Sequence, residues 1–424
     1  MSAAIAPPVW QPAARYEQPP PLEGDHKADV TIIGGGLCGL IAALELAESG
    51  RSVAVVEAGA IGGGATGAAA GQVGPLFYGS RKTPADVARR LGGERSARLH
   101  RLVAGSGRWV FDRIAQLGIE CGARRGLVGV YRSEKSLARA TATFAQWDAH
   151  GGDWSRLARD DLQTHIAAQR YAGGIYFPDG GFLDPVLLLQ GLAAAARKAG
   201  VAVHCGSRVS GLTRDGSWIV RTDRGRLDSA EVLVATGSGG FEGWPALARS
   251  VYAISCGIAA TAPLADGGAS LLPAGGPVVD LDDKAIFAPA ATADGRLLVS
   301  FLLSGPPAGV SEAAAPARRR LERVFPGQEL PPFETLSWGR IGVTPDGLPR
   351  LLRGPEGLLA VTGCNGFGLT LGVTAAREAA RLIATGDDTD TALPLVDARP
   401  LPASRLVPAL FRNILAPIAN RFGG

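Results

Sequence analysis

Apolar positions along this chain switch between two periods, and the first switch falls early. Asp29–Ile33 (DVTII) is a short apolar run rich in β-branched residues, the pattern of a buried strand. From Leu37 onward an Ala/Leu-rich stretch has the spacing of a helix, and Val53–Val56 then forms a second apolar run that ends at Glu57. Further on, VLLLQGLAAAARKAG predicts a helix with Asp184 as N-cap and Pro185 at its first position. VYAISCGIAATAPL and KAIFAPAATADGRLLVSFLLSG read as alternating strands, and the pattern after Thr370 is helical until about Gly386. In the tail, Leu406, Leu410, Phe411, Ile414, Leu415, Ile418 and Phe422 recur at roughly helical spacing among Arg405, Arg412 and Arg421, with Pro408 and Pro417 as interruptions. Docking on the protein's own body or on a subunit is the plainer reading of this tail. A membrane-surface helix would show the same pattern.

Composition narrows the class. With 424 residues, 46% apolar, and 59 glycines, the chain suits a two-domain α/β enzyme with many tight turns rather than a disordered protein. A net charge of +4 is too small to argue for nucleic acid, and the run Arg318, Arg319, Arg320 reads as a solvated helix face. Five scattered cysteines without CxxC spacing argue against a disulfide framework or a zinc site, and for a reducing cytosol. No metal is expected. The first 27 residues are Pro-rich and lack the apolar core of a signal peptide, and no run is long enough to span a membrane. A cytoplasmic protein is the expectation.

The candidate chemistry starts between strand and helix. Gly34-x-Gly36-x-x-Gly39 follows the first strand at once: Gly34 allows the tight turn, Gly36 lets a pyrophosphate approach, and Gly39 permits close helix packing. The N–H groups at Leu37 and Cys38 open the helix beyond it. Glu57 is placed to accept both hydroxyls of an adenosine ribose and would repel a 2′-phosphate, which argues against NADP. Ala58–Pro75 is almost free of bulky side chains, so it can pass close to a flat ligand.

Together these segments resemble the D-amino-acid-oxidase-type FAD oxidoreductases, and within them most closely the γ-glutamylputrescine oxidoreductase branch. The resemblance is carried by PLEGDHKADVTIIGGG, by GGGATGAAAGQ, by GGIYFPDGGFLDP (Gly173–Pro185), by AEVLVATGSGG and by VTGCNGFGLTLGVTAAREAARLI. It implies an FAD-binding Rossmann-like domain with a second, substrate domain on an antiparallel or mixed sheet. The division expected is a 1–27 extension, an FAD-binding part from 28–75, 172–239 and 340–386, a substrate part from 76–171 and 240–339, and a tail from 387. It also implies cofactor contacts at Glu57, Ala58, Gly64, Ala65, Thr66, Gln72 and Val73, at Val209 beside the adenine, and at Thr236 and Gly237. Asn365, Gly366, Gly368, Leu369 and Thr370 would form a Gly-rich nest whose N–H groups face the pyrimidine side of the flavin, where negative charge gathers on reduction.

Three departures refine the reading. The Arg-Asn pair usual after A-S-G is Ala68-Ala69 here. The position of a flavin-linking cysteine, seven residues before Asp346, is Gly339, so FAD is expected to be non-covalent. The arginine that grips an α-carboxylate stands three residues before the Thr of T-x-D, and three before Thr344 is Ile341; Arg340 is one residue off, and a shift of one turns a strand side chain to the other face. The resemblance then implies a small-molecule amine, γ-glutamylputrescine-like or otherwise N-substituted, oxidised by hydride transfer to flavin N5, with oxygen or another acceptor taking the electrons. No catalytic acid or base is assigned. Tyr78, Tyr252, Lys284, Trp338 and Arg340 are candidates to line the substrate site. A small-amino-acid oxidase or dehydrogenase (D-amino acid, glycine, sarcosine or proline type), or a flavin subunit of a larger complex, is the alternative.

Overall fold

The computed structural model describes residues 6–75, 83–283, 286–404 and 406–422. Its first strand, Gly24–Ile33, buries only its last four positions, Val30–Ile33, and lies between parallel neighbours Gly225–Val234 and Val53–Val56. Ala202–His204 extends this sheet parallel to Val53–Val56, and Leu358–Thr362 continues it parallel to Gly225–Val234. Arg350–Arg353 and Leu395–Asp397 close the far edge. Apolar side chains on both faces are what a parallel sheet covered on both sides requires, and the face away from the helices packs on Trp218, Val220 and Leu247. Helix Leu37–Glu48 covers one face, flanked by Pro185–Lys198 and Val373–Thr385. Asp184 caps its helix as expected, its carboxylate accepting from the Val186 and Leu187 N–H groups at 2.8 and 3.0 Å.

The segment VAVHCGSRVSGL, Val201–Leu212, contributes to two strands. Ala202–His204 and Val209–Asp215 are separated at Ser207, whose N–H donates to the Glu57 carbonyl at 2.8 Å and whose hydroxyl accepts from the Leu22 N–H at 2.8 Å. The second strand pairs with the antiparallel flap Ser217–Thr222.

Two further sheets stand beside this one. Pro289–Ala291, Leu297–Leu302, Tyr252–Thr261 and Phe333–Val343 form an antiparallel sheet. Val278–Asp280, Arg124–Tyr131, Gly173–Phe182 and Gln72–Val73 form a mixed one, with Ser155–Leu157 added to Gly173–Phe182. The sequence division placed Gln72–Val73, Gly173–Phe182 and residues from 340 with the nucleotide-binding part. Of these, Gln72–Val73, Gly173–Phe182 and the stretch 340–343 pair in the further sheets, whereas Arg350–Arg353 and Leu358–Thr362 pair in the first.

Two other expectations change. Arg320 is not on a solvated face: its side chain is 1% exposed, with Nε 3.4 Å from Asp283. Pro408 and Pro417 do not interrupt the tail, which runs as helix Leu406–Leu410, a π turn Phe411–Leu415 and helix Ala416–Phe422. Pro408 sits in the first turn, where a missing N–H costs least, and Pro417 directly follows the π turn within the same helical run. No helix among the described residues is long and apolar enough to cross a membrane.

Candidate active site

A cavity of about 340 Å³ opens where the three sheets meet. Ala69–Gln72 and Gly74 form one wall, and Asn365–Phe367 with Leu369 form a second. Leu127, Val279–Leu281, Asp283, Ile286, Ala288, Ser300 and Ile341 complete it. The Thr370 hydroxyl donates to the Gly74 carbonyl at 2.8 Å and so ties the first two walls together.

The nest is built as its glycines suggest. Asn365 and Gly366 hold positive φ, 54° and 88°, and the helix after them begins as a π turn, Gly368–Gly372, with no side-chain cap. Its first N–H groups, at Gly368 and Leu369, have no preceding turn to bond to. Asn365 itself is occupied by the fold: its Oδ1 accepts from the Thr344 N–H at 2.8 Å and from the Thr344 hydroxyl at 3.2 Å. The T-x-D-G-x-P run is therefore the corner that seats the nest. Asp346 completes that corner, 2.8 Å from Arg350 and 3.2 Å from Arg90. Burial acts to raise its pKa, but Arg350, the Leu348 N–H and Arg90 hold it below the usual carboxylate range.

At the other end, residues Gly34–Gly39 fit a dinucleotide. A Cβ on Gly34 would stand 2.7 Å from the Ala235 carbonyl oxygen, and one on Gly39 would stand 1.9 Å from that of Gly34, whereas Gly36 faces open space beside Thr66. Helix Leu37–Glu48 has no side-chain cap at Gly36, which leaves its N-terminus to a ligand. The Glu57 carboxylate accepts from the Gly35 and Gly59 N–H groups, both at 2.8 Å, and each oxygen keeps a further lone pair. The Thr236 hydroxyl, beside the Gly34 turn, is buried and has no hydrogen-bond partner among the described residues. A nucleotide would supply one.

The comparisons follow this geometry. Residues 29–382 match the model of the family described as DAO, FAD dependent oxidoreductase. The chain belongs to this family. It is 32% identical over 225 residues to γ-glutamylputrescine oxidoreductase of Escherichia coli K12, an alignment that covers 53% of this chain and 52% of that enzyme. It is 29% identical over 372 residues to the probable oxidoreductase OrdL of Rhizobium meliloti, covering 85% of each. The fold superposes on glycine oxidase from Geobacillus kaustophilus with a TM-score of 0.67 at 22% identity, covering 86% of this chain and 96% of the other. This member of the DAO family is an FAD-dependent oxidoreductase, and the chain spans about half the length of the γ-glutamylputrescine oxidoreductase it matches.

Of the residues singled out in the sequence, Gln72, Asn365, Gly366 and Leu369 line the cavity. Gly64, Ala65 and Thr66 lie in the turn beyond Glu57, and Ala58 is exposed at a bend. Val73 is fully buried in its strand, and Val209 packs in one cluster with Ile33 and Val56. Leu37 is core, and Cys38 donates to the Gly372 carbonyl at 3.4 Å, its thiol pushed up to about 12 by burial and by nearby Cys364. Tyr78 and Lys284 lie outside the described residues. Tyr252, Trp338 and Arg340 do not line the cavity: the Tyr252 hydroxyl donates to the Pro402 carbonyl at 3.0 Å, and Trp338 and Arg340 are exposed. The strand carrying them pairs with Tyr252–Ala260 in unbroken register from Thr335 to Val343, so no bulge turns Arg340 inward.

Sequence reasoning missed the acidic wall. Asp280 accepts from Arg132 Nε and Nη2 at 3.0 and 2.8 Å and from the Tyr171 hydroxyl at 3.1 Å, while Asp283 lies 3.0 Å from Arg132. Burial raises the Asp280 pKa, against the pull of Arg132, and burial with Asp280 beside it raises Tyr171 well above its ordinary value. The only sequence signal was the run Asp280, Asp282, Asp283 in an otherwise apolar segment.

Proposed function

We propose that this enzyme oxidises a C–N bond of an N-substituted amine, γ-glutamylputrescine-like in keeping any carboxylate remote from the reacting carbon. One observation carries the reading. Ile341, not an arginine, faces the cavity three residues before Thr344, and the described lining residues include acids but no cation. Among the described residues an α-carboxylate would find no bidentate partner there.

FAD, held without a covalent bond, supplies a hydride acceptor at N5. Glu57, the Gly34–Gly39 turn and Thr236 would hold its adenosine and pyrophosphate, and the Asn365–Leu369 segment its ring. Leu127, Ile341, Phe367 and Leu369 exclude water from the reacting carbon, and Asp280 and Asp283 are neutralised by Arg132 and Arg320. The oxidised amine leaves as an imine and hydrolyses in water. Oxygen or another acceptor would then take the electrons. Five unpaired thiols agree with a reducing cytosol, and the near-zero charge balance with a small-molecule rather than a nucleic-acid partner.

Anaerobic mixing of the holoenzyme with γ-glutamylputrescine, putrescine, sarcosine, proline and D-alanine tests this. Flavin bleaching by γ-glutamylputrescine, with slow or no bleaching by the three amino acids, is the expected result. Equal or faster bleaching by sarcosine, proline or D-alanine would overturn it in favour of a small amino acid.

A further inference from the structure

The large apolar side chains exposed on the described surface are concentrated in one place. Leu406 is 71% exposed, Ile418 51%, and Leu410, Ile414 and Leu415 each 47%; elsewhere only Trp338 and Val396 reach comparable exposure. Leu406, Leu410, Ile414 and Ile418 are spaced by four, so they form one stripe along the tail helix.

The opposite side of that helix is fastened to the protein. Ala416 is fully buried against Leu302, beside Cys256, Ile286 and Phe411. Arg320 Nη2 donates to the Ala419 carbonyl at 3.0 Å, and Asn420 Nδ2 donates to the Leu302 carbonyl at 2.9 Å. The apolar stripe therefore faces outward from an anchored helix.

Charge selects the occupant. From Pro400 to Gly424 the chain carries three arginines, Arg405, Arg412 and Arg421, and no acid, while Arg399 before them is paired with Asp397 at 3.0 Å. The three account for three of the net charge of +4, leaving 40 basic against 39 acidic residues elsewhere. A second copy meeting this face would bring two acid-free arginine sets together, which opposes association. An anionic lipid surface satisfies both features, taking the apolar stripe into its acyl boundary and the arginines at its headgroups.

We propose that the 406–422 helix seats this enzyme on anionic membrane surfaces. The test is flotation of the full-length holoenzyme with phosphatidylcholine vesicles, with and without phosphatidylglycerol, at low and high salt. Binding to the anionic vesicles should exceed binding to the neutral ones by about tenfold or more and weaken with salt. L410S/I414S/I418S should lose most of that binding, and Arg412→Glu should lower it several-fold, each with an unchanged melting temperature and unchanged flavin reduction by amine. Equal binding to both vesicle types, retention by the serine variant, or no flotation of the wild type would each overturn the proposal. So would a dimer in sedimentation velocity that the serine variant dissolves, since the stripe would then serve a second copy.

Discussion

Ile341 and Arg340 are neighbours on one strand, and the pleat sends them to opposite faces. Arg340→Ala should therefore change kcat/KM for the amine by less than about twofold, whereas loss of a carboxylate clamp would cost about a hundredfold or more, the worth of a charge-assisted bidentate contact. Ile341→Arg places the cation inside the wall and should raise the ratio of amino-acid to amine oxidation, read by stopped-flow bleaching. This pair was legible in the sequence because the register of a strand follows from counting, and the unbroken pairing preserves the count. Asp346 was legible only as part of a motif. Its folded pKa lies below the unfolded value of about 3.9, so its contribution to stability is complete above that pH and vanishes as pH falls through the folded value. Asp346→Asn should cost about 2 kcal/mol at neutral pH, the range for a buried charged partner. The gap between variant and wild type in thermal melts should narrow only as pH falls below the unfolded value and close below the still lower folded one, where the carboxylate is protonated in both states.

The elements most legible in the sequence were those with a strong period or a defined cap, such as Leu37–Glu48, Val53–Val56 and Pro185–Lys198. The least legible was the N-terminal extension, since a Pro-rich segment has no period to read and its structure comes from what it docks on. Trp10 donates its Nε1–H to the Ala69 carbonyl at 2.8 Å and packs on Phe182 with ring centroids 5.9 Å apart. Gln18 accepts from the Ile61 N–H at 2.8 Å and the Val9 N–H donates to the Ser337 hydroxyl at 3.0 Å. The extension thus braces the small-residue loop that takes the place of the usual Arg-Asn pair. Trp10→Ala should loosen that loop and speed FAD loss on dialysis by about tenfold, the equivalent of one hydrogen bond of roughly 1.4 kcal/mol, with far-UV circular dichroism unchanged. Unchanged FAD retention would mean that the loop holds its shape without the extension.

At the scale of the molecule, the cavity exists because three sheets meet, and the joint is closed by charges whose partners lie far apart in the chain. Arg132, Tyr171, Asp280, Asp283 and Arg320 come from strands, loops and a helix spread over nearly 190 residues, so no local pattern announces them. Arg320 has two contacts of different kinds: it faces Asp283 in the cavity wall and donates to the Ala419 carbonyl in the tail. Arg320→Met should cost about 3–5 kcal/mol, the usual penalty for removing one partner of a buried ion pair. It should also expose the tail to limited proteolysis. Adding Asp283→Asn separates the two effects: it removes the charge that Arg320 faced, and Arg132, which also loses Asp283, keeps its two bonds to Asp280. The double variant should regain much of the stability and keep a protease-sensitive tail, since the Ala419 carbonyl still lacks its donor. If tail protection returned with stability, the bond to Ala419 would carry no weight and the tail would be held by Ala416 and Asn420 alone.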